Sequence, residues 1–182
     1  MDQNVQDYLL RLAKNAIAAK LELGVSKIIR PENADILNQK RGAFVTIDID
    51  EALRGCIGNI SPIYPLEEAV KRNAVNAAFE DPRFWPLTPE EFRKINIEIS
   101  VLTVPEKLKY SSSEDLLKKL RPLKDGVILR KGYYEATYLP QVWEEIADKE
   151  VFLASLCNKA GMNSDEWKKA GIEVLTYQAE VF

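Results

Sequence analysis

Eight consecutive residues, Ile95-Asn96-Ile97-Glu98-Ile99-Ser100-Val101-Leu102, alternate with a period of two. That period fits a strand and no helix. Ile95, Ile97, Ile99 and Val101 then line one face, and Asn96, Glu98 and Ser100 the other. Just upstream, Thr88-Pro89-Glu90-Glu91 reads as a short helix start, with Thr88 as cap, Pro89 first and Glu91 placed for a capping box. Ala43 to Asp48 is β-branched and alternating, and predicts a strand. The acidic stretch Asp48 to Glu51 turns the chain, and Ala52 to Ile57 returns as the second arm of a hairpin. Pro65 opens an amphipathic helix over Leu66 to Phe79.

The same order comes again. Val127 to Arg130 and Tyr133 to Leu139 predict a hairpin about Lys131-Gly132. Helical sequence begins at Pro140 and continues over Val151 to Lys159, with a stop near Gly161. Asn163 to Trp167 is a helical turn or loop, and Ile172 to Phe182 a closing strand. Elsewhere, Val5 to Leu23 reads as a helix stopped by Gly24, Ile28 to Leu37 as loop, and Ser111 to Leu120 as a helix. A hairpin, helical segments and a strand thus occupy residues 43–102 and again 127–182. The expectation is an α+β fold: a single domain over residues 1–182 with two related lobes and the helix of residues 5–23 packed on them. A ligand site is expected where the two hairpins face each other.

Composition narrows the chemistry. Apolar residues make up 46% of the 182, enough for a core without staples. The formal net charge of −3 argues against nucleic acid as a partner, and Lys118-Lys119-Leu120-Arg121 and Lys168-Lys169 read as solvated faces. With no histidine, Ser-His-Asp and Cys-His centres cannot be built, and two cysteines are too few for a thiolate zinc site. Neither a metal nor a cofactor is expected. No run is long and apolar enough to span a membrane. The amino terminus, Met1-Asp2-Gln3-Asn4, lacks the pattern of a secretory signal, so a cytoplasmic location is expected.

The candidate site centres on Arg54-Gly55-Cys56-Ile57-Gly58. Glycine on each side of a cysteine permits tight turns and close approach of another group. Arg54 and Cys56 stand two apart on a strand and so share a face. Cys56 has two readings: a nucleophile made more acidic by Arg54, or a small buried apolar side chain. Glu98 is either solvated, or a carboxylate partner for Arg54 or Arg83, or a general base. Arg83 either pins its proline-bounded loop or offers its planar fork to an anion. Tyr138 closes or fills a cleft, and Cys157 belongs to core.

Leu53-Arg54-Gly55-Cys56-Ile57-Gly58 resembles the signature of the AMMECR-one family, named for the Alport syndrome, mental retardation, midface hypoplasia and elliptocytosis chromosomal region. Further blocks resemble the family in order: residues 41–45, 81–84, 97–102, 125–127, 138–143 and 152–161. Tyr138 stands where the family pattern has phenylalanine. The resemblance implies an α+β fold with two subdomains. It supplies no reaction, and it implies a Memo-like or radical-SAM protein as partner. Two functions follow. One is a binding or adaptor module whose cleft, near Arg54, Gly55, Gly58, Arg83, Glu98 and Tyr138, takes a small anion, a peptide or part of a protein. The alternative is a thiol-dependent enzyme using Cys56, with backbone amides near Gly55 or Gly58 facing an oxyanion.

Overall fold

The computed structural model describes all of residues 1–182 as two units, Met1–Val104 with Glu180–Phe182, and Pro105–Ala179. In chain order the elements are α1 (Gln3–Lys20), β1 (Ala43–Ile49), β2 (Ala52–Asn59), α2 (Leu66–Phe79), α3 (Pro89–Phe92), β3 (Asn96–Leu102), β4 (Glu106–Lys107), α4 (Ser113–Lys119), β5 (Gly126–Lys131), β6 (Tyr134–Tyr138), α5 (Val142–Glu145), α6 (Lys149–Lys159), β7 (Glu173–Tyr177) and β8 (Ala179–Val181). The expected mixture of helix and antiparallel sheet is what the chain forms.

In the first unit the sheet order is β2-β1-β3-β8. Its inward face carries Ala43, Val45 and Ile47 from β1 and Ile99 and Val101 from β3, buried with Leu9, Leu12 and Ile17 of α1 and Val70 and Ala74 of α2. Each fully buried aliphatic side chain contributes roughly 1.5–3 kcal/mol of transfer free energy. The helix α2 has the bounds that its apolar period predicts. Thr88 caps α3 as expected: its Oγ1 accepts from the Glu91 amide at 3.3 Å, and Glu91 Oε2 accepts from the Thr88 amide at 2.9 Å. The β1–β2 hairpin closes through Asp50 and Glu51, with φ of 51° and 64°. Two left-handed central residues make the turn whose twist suits a hairpin, here without glycine.

In the second unit the order is β4-β7-β5-β6. Its core surrounds Trp143, whose ring lies on Phe152 with centroids 3.5 Å apart and planes 3° apart. Trp143 Nε1 donates to the Asp125 carbonyl at 2.7 Å, so the buried indole is satisfied. The helix α6 starts at Lys149, ahead of the expected Val151, because Asp148 Oδ1 accepts from the amides of Glu150 and Val151, both at 2.9 Å. It stops where glycine predicts. Gly161 takes φ of 77°, its amide donates to Asn158, and the Met162 amide donates to Cys157, which is a Schellman cap.

Four expectations need correcting. The first helix ends at Lys20 and not at Leu23, because Glu22 takes the left-handed position with φ of 58° and the Leu23 amide donates back to Ala18, so Gly24 is not its stop. Residues 172–182 are two strands in different sheets, not one. The second hairpin turns through Gly132-Tyr133, since Lys131 pairs with Tyr134. Residues 28–37 run into a short 3-10 helix, Asp35–Asn38, rather than staying irregular. Both units share a plan in which the third strand returns beside the first strand of the hairpin (β3 on β1, β7 on β5). The fourth strand of each sheet is the segment that follows the third strand of the other.

Candidate functional site

The strand β2 forms one edge of the first sheet, and Cys56 lies near its middle. Thr46 of β1 pairs with Cys56 on one side and with Glu98 of β3 on the other. The three side chains therefore form one row on the sheet face turned away from the core. Thr46 Oγ1 donates to Cys56 Sγ at 3.4 Å, and the cysteine is half-buried. Glu98 is exposed, yet its carboxyl is pushed up from the ordinary value, first by partial desolvation and then by the nearby Asp48 carboxylate.

As an edge residue, Cys56 points its peptide groups away from β1, and a loop covers them. Its amide donates to Asp81 Oδ2 at 2.9 Å, and its carbonyl accepts from Arg83 Nη2 at 3.4 Å. Asp81 also accepts from the Arg83 amide at 3.1 Å, Nε at 3.0 Å and Nη2 at 2.7 Å. The Arg83 guanidinium holds the buried Asp81 carboxyl far below the usual carboxylate range, against the opposing effect of burial. Asp81-Pro82-Arg83-Phe84 thus blocks an edge that would otherwise offer free hydrogen-bonding groups.

Arg54 is drawn elsewhere. The β1–β2 register shifts between Ile47 and Asp48, so Arg54 falls at an irregularity rather than in a regular pair. Its Nε and Nη2 donate to the two oxygens of Glu91 at 2.8 and 3.1 Å, and Nη2 also donates to the Trp85 carbonyl at 2.8 Å. This fork brings the Glu91 carboxyl down to about 2. The guanidinium carbons of Arg54 and Arg83 lie 5.6 and 5.5 Å from the Phe84 ring centre. Arg54, Arg83 and Cys56 are thus joined through one loop, whereas Glu98 pairs with neither arginine.

The two glycines serve close approach. A Cβ on Gly55 would stand 2.1 Å from the Ala77 carbonyl oxygen of α2, and one on Gly58 would stand 2.3 Å from the Phe44 ring. Tyr138 lies in the second unit, where its hydroxyl bonds Ser155 Oγ at 2.9 Å and its ring meets the edge of Phe152. No three of its Cys, Asp and Glu side chains converge to hold a metal ion, and no helix is long and apolar enough to cross a membrane. Thr46, Asp81 and Glu91 escaped the reading of the sequence. Period two on Ala43 to Asp48 already places Thr46 on the polar face; the bonds of Asp81 to Cys56 and of Glu91 to Arg54 span 25 and 37 residues and carry no local signal.

The AMMECR1 family matches residues 10–182, and the chain belongs to that family. It is 39% identical over 178 residues to the Methanocaldococcus jannaschii protein MJ0810, spanning 96% of this chain and 86% of that one. It is 41% identical over 176 residues to the Nanoarchaeum equitans protein NEQ441, spanning 96% and 97%. The crystal structure of the uncharacterized protein PH0010 from Pyrococcus horikoshii superposes with a TM-score of 0.84 at 39% identity, over 100% of this chain and 91% of that one.

Proposed function

We propose that this domain is a protein-binding adaptor whose recognition surface is the edge of the first sheet beside Arg54-Gly55-Cys56-Ile57-Gly58. The observation that carries the reading is Trp85, which is 88% exposed although its carbonyl is fixed by Arg54. Leu53, next to Arg54, is 43% exposed, and the Arg83 side chain 53%. Tryptophan and arginine on a rigid base have the composition of interface hot spots. A small anion would have to compete with Glu91 for Arg54 and with Asp81 for Arg83. An apolar anchor seated on Trp85 meets no such competition. The family resemblance supplies the partner class, a Memo-like protein in the cytoplasm. Isothermal titration of the full chain with a Memo-like protein tests the reading. Saturable binding is expected, weakened roughly tenfold or more by Trp85→Ala. No heat of binding between two folded proteins overturns it.

Thiol chemistry at Cys56 is the second reading; the half-buried Sγ accepts from the Thr46 hydroxyl on the outer face of the sheet. Against it, Arg54 and Arg83 both face carboxylates. Cys157 is sealed in the core, so alkylation of the native chain reports on Cys56. A rate no faster than that of an unfolded thiol at every pH ends this reading.

A further inference from the structure

The tip of the β5–β6 hairpin holds two adjacent tyrosines without partners. Tyr133 is 106% exposed and Tyr134 54%. Neither ring stacks on another ring or on a cation, and neither hydroxyl makes a hydrogen bond. Both line a cavity of about 400 Å³ together with Lys131, Met162, Asn163 and Glu166. That volume falls within the roughly 300–1,000 Å³ of small-molecule sites.

Backbone geometry builds the walls. Gly132, with φ of 58°, opens the turn and leaves Tyr133 at its second central position. Opposite, the Schellman cap of α6 ends at Gly161, where a Cβ would touch the Tyr134 ring at 3.7 Å. The polar complement is sparse. Glu166 is satisfied by Lys131 and by Lys169, and Lys169 also pairs with Asp165, so the cluster is neutral. The Asn163 side chain is unpaired and exposes a donor and an acceptor side by side.

Two π faces, a soft thioether and one amide edge in a neutral setting suit a flat heteroaromatic ring with a hydrogen-bonding edge. We propose that this cavity binds a nucleobase, stacked on the tyrosine pair and read on its edge by Asn163. The base could be delivered by a free nucleotide or by a single strand, and both use the same contacts. This site lies wholly in the second unit and owes nothing to the adaptor reading.

Titration of the full chain by calorimetry with adenosine 5′-monophosphate, adenosine and ribose 5-phosphate tests it. The first two are expected to bind and the sugar phosphate, lacking a base, is not. Tyr133→Ala and Tyr134→Ala should each weaken binding roughly 5- to 100-fold, the usual effect of losing one stacking platform. Tyr133 is fully in solvent, so its variant keeps the fold; circular dichroism verifies this. A parallel arm with oligoadenylate assigns the source: affinity that grows with length and falls steeply with salt marks a strand, and affinity equal to the monophosphate marks a free nucleotide. Binding of ribose 5-phosphate as strong as the nucleotide, no binding of any base-bearing probe, or unchanged affinity in both tyrosine variants overturns the proposal.

Discussion

Asp81 closes the edge of β2, and its four accepted hydrogen bonds make it the most heavily engaged carboxylate of the candidate site. Replacing it with alanine leaves the Cys56 amide without its partner. Because the Arg83 side chain is half in solvent, the expected loss is about 2 kcal/mol rather than that of a fully buried pair, measured by urea denaturation. Asp81 and Glu91 both have carboxyls lower in the folded chain than unfolded. Their stabilisation is therefore complete above the ordinary carboxylate range and is lost as pH falls, for Glu91 from about 4.5 to about 2. The denaturation midpoint should fall across that window, with a shallower slope in Glu91→Gln. Glu98 has the opposite sign, since its folded carboxyl is raised. Glu98→Gln should raise the denaturation midpoint slightly near neutral pH and leave it unchanged in acid. At this scale the sequence named Cys56, Arg54, Arg83 and Glu98. It misjudged the company Arg54 keeps, because arithmetic along a strand cannot see a register shift.

Among the elements, those with strong local signals were legible: α2 from its period, α3 from its capping box, α6 from its glycine stop. What stayed hidden depends on contacts far along the chain. The two-residue β4 exists only because β7 pairs with it, and nothing in residues 172–182 marks the passage from one sheet to another. The β1–β2 turn offers a gain. Glu51 holds φ of 64° without being glycine, so Glu51→Gly should stabilise by roughly 1 kcal/mol in thermal melts, the relief of one left-handed residue. Gly55→Ala should act in the other direction by about 3 kcal/mol or more, because its methyl group meets the backbone of α2 and not a movable side chain. Gly58→Ala should cost a similar amount, since its methyl group would stand 2.5 Å from the Ala43 carbonyl oxygen as well as against the Phe44 ring; a near-neutral effect of either variant in urea denaturation would contradict this.

The whole molecule is two cores on one chain, with residues 105–179 interrupting the first unit. The first sheet is finished by β8: the Ile99 amide donates to the Phe182 carbonyl at 2.8 Å, and the Phe182 amide returns to Ile99 at 3.1 Å. Deleting residues 179–182 should speed hydrogen exchange at Ile99 while leaving the β5–β7 amides of the second unit protected. The sequence's repeated order of hairpin, helices and strand foretold both sheets, but not that each takes its outermost strand from beyond the return strand of the other. During synthesis, β8 leaves the ribosome only after the entire interrupting segment. The first unit must wait with a bare strand β3 until then, so an early arrest in translation would release a chain with an open sheet margin prone to pairing with its neighbours.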